Sequence, residues 1–290
     1  RLEHLPLGID DDLLDQAGDG GRVRSRLRIP PDAFVLLVLG RMTPAQKMDL
    51  APLVQVLARD LAAGSPRRVH LLAAGSATPA DLAGLKGSVT RYGVEERVHV
   101  YPNFSSEEKA NILAAADVLV SPVDNAQETF GLSLLEALGS GLPVVASRYD
   151  GYKDLVDDGV DGFLVDTYAA PADPVHAWFD LLDRDTSQLF QSQGIAVDLT
   201  QLSDRILRLV HDPGLRAAMG RAGRAKVDRE YRWSRVIARY EDAWDRLAFD
   251  ASRAGIVAPR REENPYNLGS SRLFADYAAR SLNPRDRVVS

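Results

Sequence analysis

A chain of 290 residues with no cysteine and a formal net charge of −6 excludes disulfides, thiolate metal sites and cysteine nucleophiles. The acidic balance also makes a nucleic-acid partner unexpected. A hydrophobic share of 45% belongs to a folded globular protein of one large or two ordinary domains, and no apolar run reaches the ~18 residues that would cross a bilayer.

The chain opens Arg1-Leu2-Glu3-His4-Leu5-Pro6-Leu7-Gly8-Ile9-Asp10, without methionine, and reads as the continuation of something longer. Residues 1–30 are expected to form an interdomain linker segment. The basic runs at 22–28 and 216–226 read as solvated helix faces rather than polyanion sites. Phe34-Val35-Leu36-Leu37-Val38-Leu39, stopped by Gly40, has the unbroken apolar character of a strand covered on both faces. Leu50, Leu53, Val54 and Leu57 then recur at helical spacing over 48–63. A second strand is expected over Val69-His70-Leu71-Leu72-Ala73-Ala74, a helix over 79–92 and a third strand over 97–101. Ser105 with Glu108 makes a capping box for a helix running to Ala116. Strands at 118–120, 143–146 and 162–165 complete the alternation. Strands alternating with helices predict an α/β fold: a doubly wound, parallel, six-stranded Rossmann-like sheet, here over residues 31–170. Everything beyond residue 173 reads as helical, giving a C-terminal helical extension over 171–251 that packs on the sheet. Residues 252–290 are expected to be a linker followed by a terminal helix over 271–281.

The most informative stretch is Gln127-Glu128-Thr129-Phe130-Gly131-Leu132-Ser133-Leu134-Leu135-Glu136. It places one carboxylate just before a helix start and a second inside the helix, bracketing N–H groups that a helix leaves without partners. A helix start attracts phosphate, while flanking carboxylates accept hydrogen bonds from sugar hydroxyls. Gly131 lets backbone approach a ligand closely. In an open parallel sheet, ligands sit beyond the carboxyl ends of the strands, and two further loops belong to that edge. Gly40-Arg41-Met42-Thr43-Pro44-Ala45-Gln46-Lys47 carries two cations able to grip a diphosphate. The third loop, Arg148-Tyr149-Asp150-Gly151-Tyr152-Lys153-Asp154, is equally consistent with an ordinary strand-to-helix turn.

Several other features read as structural. Asp10-Asp11-Asp12 reads as helix capping, and Asp183-Arg184-Asp185 falls in a helical region away from the sheet edge. The five histidines (His4, His70, His99, His176 and His211) show no metal-ligand spacing. There is no dinucleotide fingerprint, P-loop or Gly-x-Ser-x-Gly elbow.

Taken together, the paired-Glu segment, the turn Gly139-Ser140-Gly141-Leu142-Pro143-Val144-Val145, and Gly40-Arg41 with Lys47 resemble the retaining glycosyltransferases of family 4, which have the glycosyltransferase-B fold. Leu5-Pro6-Leu7-Gly8-Ile9-Asp10, Ala116-Asp117-Val118-Leu119-Val120-Ser121-Pro122 and Asp157-Asp158-Gly159-Val160-Asp161-Gly162-Phe163 agree, so the resemblance covers roughly residues 5–245. The resemblance implies the C-terminal, donor-binding half of such an enzyme, inactive by itself because a preceding N-terminal domain supplies most acceptor contacts. Carried over by position, Arg41 and Lys47 would neutralise the diphosphate of a nucleotide sugar, next to Gly40. Glu128 would bind hydroxyls of the donor sugar. Thr129, Phe130, Gly131 and Leu132 would meet sugar and phosphate, and Glu136 would hold the ribose. The base would rest near Tyr101, Asn103 and Phe104.

The resemblance implies no metal and no cofactor, the nucleotide sugar being substrate. It implies a saccharide, lipid or small-molecule acceptor, and a cytoplasmic location or one peripheral to the inner face of the membrane. One departure is Asp154, where many members carry Glu. Two other functions fit the same residues: a nucleotide-sugar epimerase of this architecture, and a non-catalytic nucleotide-sugar-binding module.

Overall fold

The computed structural model describes residues 4–44, 47–64, 68–125, 128–169 and 182–253. The chain divides into two units, Arg1–Tyr240 and Glu241–Ser290. Of the second, only 241–253 is described, as the C-terminal part of a helix. The expected helix over 271–281 lies outside the described residues.

Six strands form one parallel sheet: β1 (Phe34–Leu39), β2 (Val69–Gly75), β3 (Val98–Pro102), β4 (Val118–Ser121), β5 (Val144–Ser147) and β6 (Gly162–Val165), in the order β3-β2-β1-β4-β5-β6. Every residue of β1 and β2 is buried, which explains why their sequences carry no polar alternation. Leu36 lies opposite Leu71 on one side and Val118 on the other. The strand order reverses direction between β1 and β4, so a crevice opens beyond their carboxyl ends.

Helices cover both faces. They are α1 (Asp11–Asp15), α2 (Gly20–Arg26), α3 (Ala51–Gly64), α4 (Pro79–Tyr92), α5 (Lys109–Ala114), α6 (Leu132–Gly139) and α7 (Tyr152–Leu155). After the sheet come α8 (Arg184–Gln193), α9 (Leu199–His211), α10 (Pro213–Glu230) and α11 (Trp233–Arg253). Local chemistry fixes their ends. Thr78 and Asp81 close a capping box, Pro79 opens α4, and Gly93 ends it in the left-handed conformation. The Ser105–Glu108 capping box is present too, but it opens a 3₁₀ turn over Ser106–Glu108 before α5 begins. Asp10 caps α1, and Asp183 accepts the Thr186 N–H at the start of α8.

Two expectations are corrected. Residues beyond 173 are not wholly helical. Strand β7 (Thr167–Ala169) pairs antiparallel with β8 (Ile195–Val197) to make a second, two-stranded sheet. Three residues are too few to show a period of two, so β8 is invisible in the sequence pattern. Nor are the basic runs merely solvated faces. Arg24 donates to the carbonyls of Ala33 and Ala115 and pairs with Asp117 at 3.0 Å, anchoring α2, within the stretch expected as linker, to the sheet. Lys226 is buried with its Nζ 2.9 Å from Asp157, 3.0 Å from Asp161 and 2.7 Å from the Leu155 carbonyl.

This last helix, α10, also clamps α6. Gly220 has no room for a Cβ, which would lie 2.1 Å from the Gly141 carbonyl oxygen. Arg224 donates to the Gly139 carbonyl at the end of α6. The helix carrying Glu136 is therefore fixed from behind while its start faces the crevice.

Candidate functional site

Two loops meet at the switch point. The loop after β1 runs from Gly40, whose φ of 144° suits glycine, to Lys47, whose N–H bonds the Thr43 carbonyl. The loop after β4 is tied to it by Asn125, buried, with Nδ2 3.4 Å from the Pro44 carbonyl. The Glu128 N–H in turn bonds the Asn125 carbonyl at 3.1 Å. These ties bring Lys47 Nζ into direct contact with the Glu128 carboxylate, both side chains mostly buried at 10% and 14% exposure.

Burial and the nearby Arg41 pull Lys47 down to about 8, with Glu136 opposing. Lys47 is thus a cation paired with a carboxylate but held beside a like charge and out of water. Arg41 and Glu136 line a crevice of about 410 Å³ together with Gly40, Ser133 and Lys109. Glu136 accepts from Lys109 Nζ at 2.6 Å, and burial raises its pKa despite that partner.

Helix α6 begins beside this crevice. Gly131 stands at its N-cap with φ 106°, and no described side chain caps the start. The glycine serves a second purpose: a Cβ there would lie 2.6 Å from the Tyr152 ring. Thr129 and Leu132 are exposed and Phe130 is half-buried.

Arg41, Lys47, Glu128, Glu136 and Gly40 are therefore brought together, and Asn103 and Phe104 line the same crevice. Asn103 holds a left-handed φ of 53°. Tyr101 is not among the lining residues. It is buried, with Arg26 over its ring at 4.5 Å and its hydroxyl bonded to Glu108.

In the third loop, Arg148 is ion-paired with Asp158 at 2.6 Å and Asp166 at 2.9 Å. Sequence reasoning assigned no role to three residues that the structure places here: Tyr152, Ser121 and Lys109. Tyr152 is fully buried, and its hydroxyl lies 3.3 Å from Lys47 Nζ, 2.9 Å from Ser121 Oγ and 3.3 Å from Glu128 Oε2. The one clue was position, since Ser121 ends β4 and Tyr152 follows β5 at the same sheet edge.

An all-parallel sheet in this order, with cations on one switch-point loop and carboxylates around the next helix start, defines a Rossmann-like domain of the kind that forms one half of a glycosyltransferase-B fold. The chain belongs to the glycosyl transferases of group 1, whose family model matches residues 21–187. It is 30% identical over 252 residues to the D-inositol 3-phosphate glycosyltransferase of Streptosporangium roseum, covering 84% of this chain and 49% of that protein. The chain spans about half the length of the curated relatives it matches.

Its fold is shared with sucrose-phosphate synthase from Thermosynechococcus elongatus, at a TM-score of 0.63, 24% identity, 85% of this chain and 52% of that one. It is shared as well with Anabaena HepE in complex with UDP and glucose, at a TM-score of 0.60, 23% identity, 83% of this chain and 55% of that one. Among the described residues, no helix is long and apolar enough to cross a membrane. No described group of three or more His, Asp or Glu side chains could hold a metal ion.

Proposed function

We propose that this chain is the donor-binding half of a retaining glycosyltransferase that moves a sugar from a nucleotide sugar to an acceptor hydroxyl presented by another domain. The observation that carries the reading is the meeting of Lys47 with Glu128 beside a crevice lined by Arg41 and Glu136. The UDP and glucose bound by HepE and the half-length match to curated glycosyltransferases support it.

As the bond between sugar and diphosphate breaks, negative charge grows on the leaving group. Once donor binding has drawn Lys47 from Glu128, Arg41, Lys47 and the start of α6 face that charge before the bond breaks, so little reorganisation is needed in the chemical step. Glu128 holds the sugar by its hydroxyls and Glu136 the ribose, while Asn103 and Phe104 flank the base. The anomeric carbon becomes oxocarbenium-like, and the acceptor, a saccharide, a lipid or a small molecule, attacks through its hydroxyl oxygen from the face the diphosphate leaves, its proton passing to the departing diphosphate oxygen. The nucleotide sugar is the only small molecule this chemistry asks the chain to bind, without a cofactor. Closure of the cleft against the acceptor domain excludes water and limits hydrolysis.

A thermal-shift panel tests the reading, because selective binding raises apparent stability. Nucleoside diphosphates and nucleotide sugars should raise the melting temperature of this chain, and free nucleosides and sugars should not. A panel in which no diphosphate-bearing ligand stabilises the chain more than its nucleoside would overturn the proposal.

A further inference from the structure

Without ligand, Lys47 and Glu128 neutralise each other. On the reading above, on which this inference rests, a bound donor must separate them: the diphosphate draws Lys47 and the sugar takes Glu128. A carboxylate only 14% exposed that loses its cation is costly unless another donor replaces it. Among the described residues, the side chain bonded to this carboxylate besides Lys47 is Tyr152.

We infer that Tyr152 is a positioning residue: its hydroxyl holds the Glu128 carboxylate in the orientation that reads the donor sugar once the diphosphate has taken Lys47.

The geometry supports this from three sides. The phenol carries one proton. With the Ser121 hydroxyl, 2.9 Å away, donating to the Tyr152 oxygen, that proton is left for Glu128. Ser121 ends β4, so this second partner is fixed to the sheet. The ring is fully buried in the core, and the position where Gly131 would bear a Cβ is filled by it, so any side chain at 131 displaces the ring that holds Glu128. Burial also pushes the phenol pKa well above its ordinary value, which keeps the proton on oxygen and the group a donor throughout the working range. The arrangement links three segments of the sheet edge: the end of β4, the loop that carries Glu128, and α7. Nothing in it touches the reacting atoms, so the effect is on how the sugar is held.

The inference predicts a change of ratio rather than a general loss. The experiment is calorimetric titration of the whole chain, as wild type, Tyr152→Phe and Ser121→Ala. The ligands are the nucleotide sugar that stabilises it most in the panel and the matching nucleoside diphosphate. Phenylalanine keeps the ring volume and removes only the hydroxyl, and near-ultraviolet circular dichroism checks that packing is intact. Tyr152→Phe should weaken the nucleotide sugar about tenfold, as expected for a hydrogen bond to a charged group, and the nucleoside diphosphate about twofold or less. Ser121→Ala should move the ratio in the same direction by a smaller factor.

Equal losses for both ligands would mean a packing fault alone, and no loss would mean an idle hydroxyl; either overturns the inference. A wild-type chain that binds neither ligand would instead defeat the donor-site reading itself.

Discussion

Two buried lysines both reach α7, and only one of them belongs to the candidate site. Lys226 is 8% exposed and bridges Asp157, Asp161 and the Leu155 carbonyl; despite burial, those carboxylates raise its pKa. Lys47 is similarly buried, but burial and the neighbouring Arg41 lower its pKa to about 8. Residue type and burial are the same, and the shifts are opposite. The first lysine is surrounded by fixed anions and locks α10 to the segment between α7 and β6. The second is paired with Glu128, while burial and the neighbouring Arg41 act against its charge. What separates the two lysines is whether the charges packed around each favour or oppose its own.

The largest expected effect breaks the lock. Lys226→Met leaves Asp161, 1% exposed, buried without its cation, and should cost about 3–5 kcal/mol, read by urea denaturation. The surviving folded fraction should keep the wild-type ranking of nucleotide ligands. A stability loss below about 1 kcal/mol would show that the lysine is not the lock described here.

Next comes the binding charge. Arg41→Ala combined with Lys47→Ala should weaken a nucleoside diphosphate by about a hundredfold, on the scale of two charge-assisted hydrogen bonds, and a free nucleoside hardly at all. Equal losses for both ligands would detach these cations from the diphosphate.

The pH dependence sharpens the same contrast. Because Lys47 titrates near 8 instead of 10.5, its charge is present below pH 8 and lost above it. Diphosphate affinity should therefore fall as pH rises through 8, by at most about tenfold per unit. Lys47→Arg, which stays charged throughout, should flatten that profile. A profile of the same steepness in the arginine variant would assign the titration elsewhere.

The smallest effect concerns a third buried base. His70 stacks on His99 with a 2.9 Å contact between Nδ1 and Nε2. Burial first, then His99 and nearby arginines, lower its pKa to about 4. The folded chain resists a proton that the unfolded chain accepts, so stability is present above pH 6.5 and lost as pH falls toward 4. His70→Leu should remove about 0.5–1 kcal/mol per pH unit from that acid slope, measured as the difference between variant and wild-type melting profiles. Parallel profiles would contradict the assignment.

Much of this was legible before the structure, for reasons that particular residues make plain. The limits of β1, β6 and α4 coincide with those read from sequence because each is set locally: an unbroken apolar run stopped by Gly40, a short run opened by Gly162, a capping box ended by Gly93. The convergence of Arg41, Lys47, Glu128 and Glu136 was legible because sheet topology places all the loops at one edge. Tyr152 was not, since its role depends on hydroxyl contacts with residues 105 and 31 positions away, and Tyr looks like any core aromatic in a string of letters. Lys226 was hidden inside a basic helix that resembles a solvated face. Strand β8 was lost to its three-residue length.

The most direct measurement is a structure of this chain bound to the nucleotide sugar that stabilises it most. The account predicts a diphosphate within hydrogen-bonding distance of Arg41 and Lys47, with Lys47 drawn off Glu128. It also predicts a sugar hydroxyl on Glu128, still held by Tyr152, and the ribose on Glu136. A ligand seated elsewhere, or a bound state in which Lys47 and Glu128 remain paired, would contradict it.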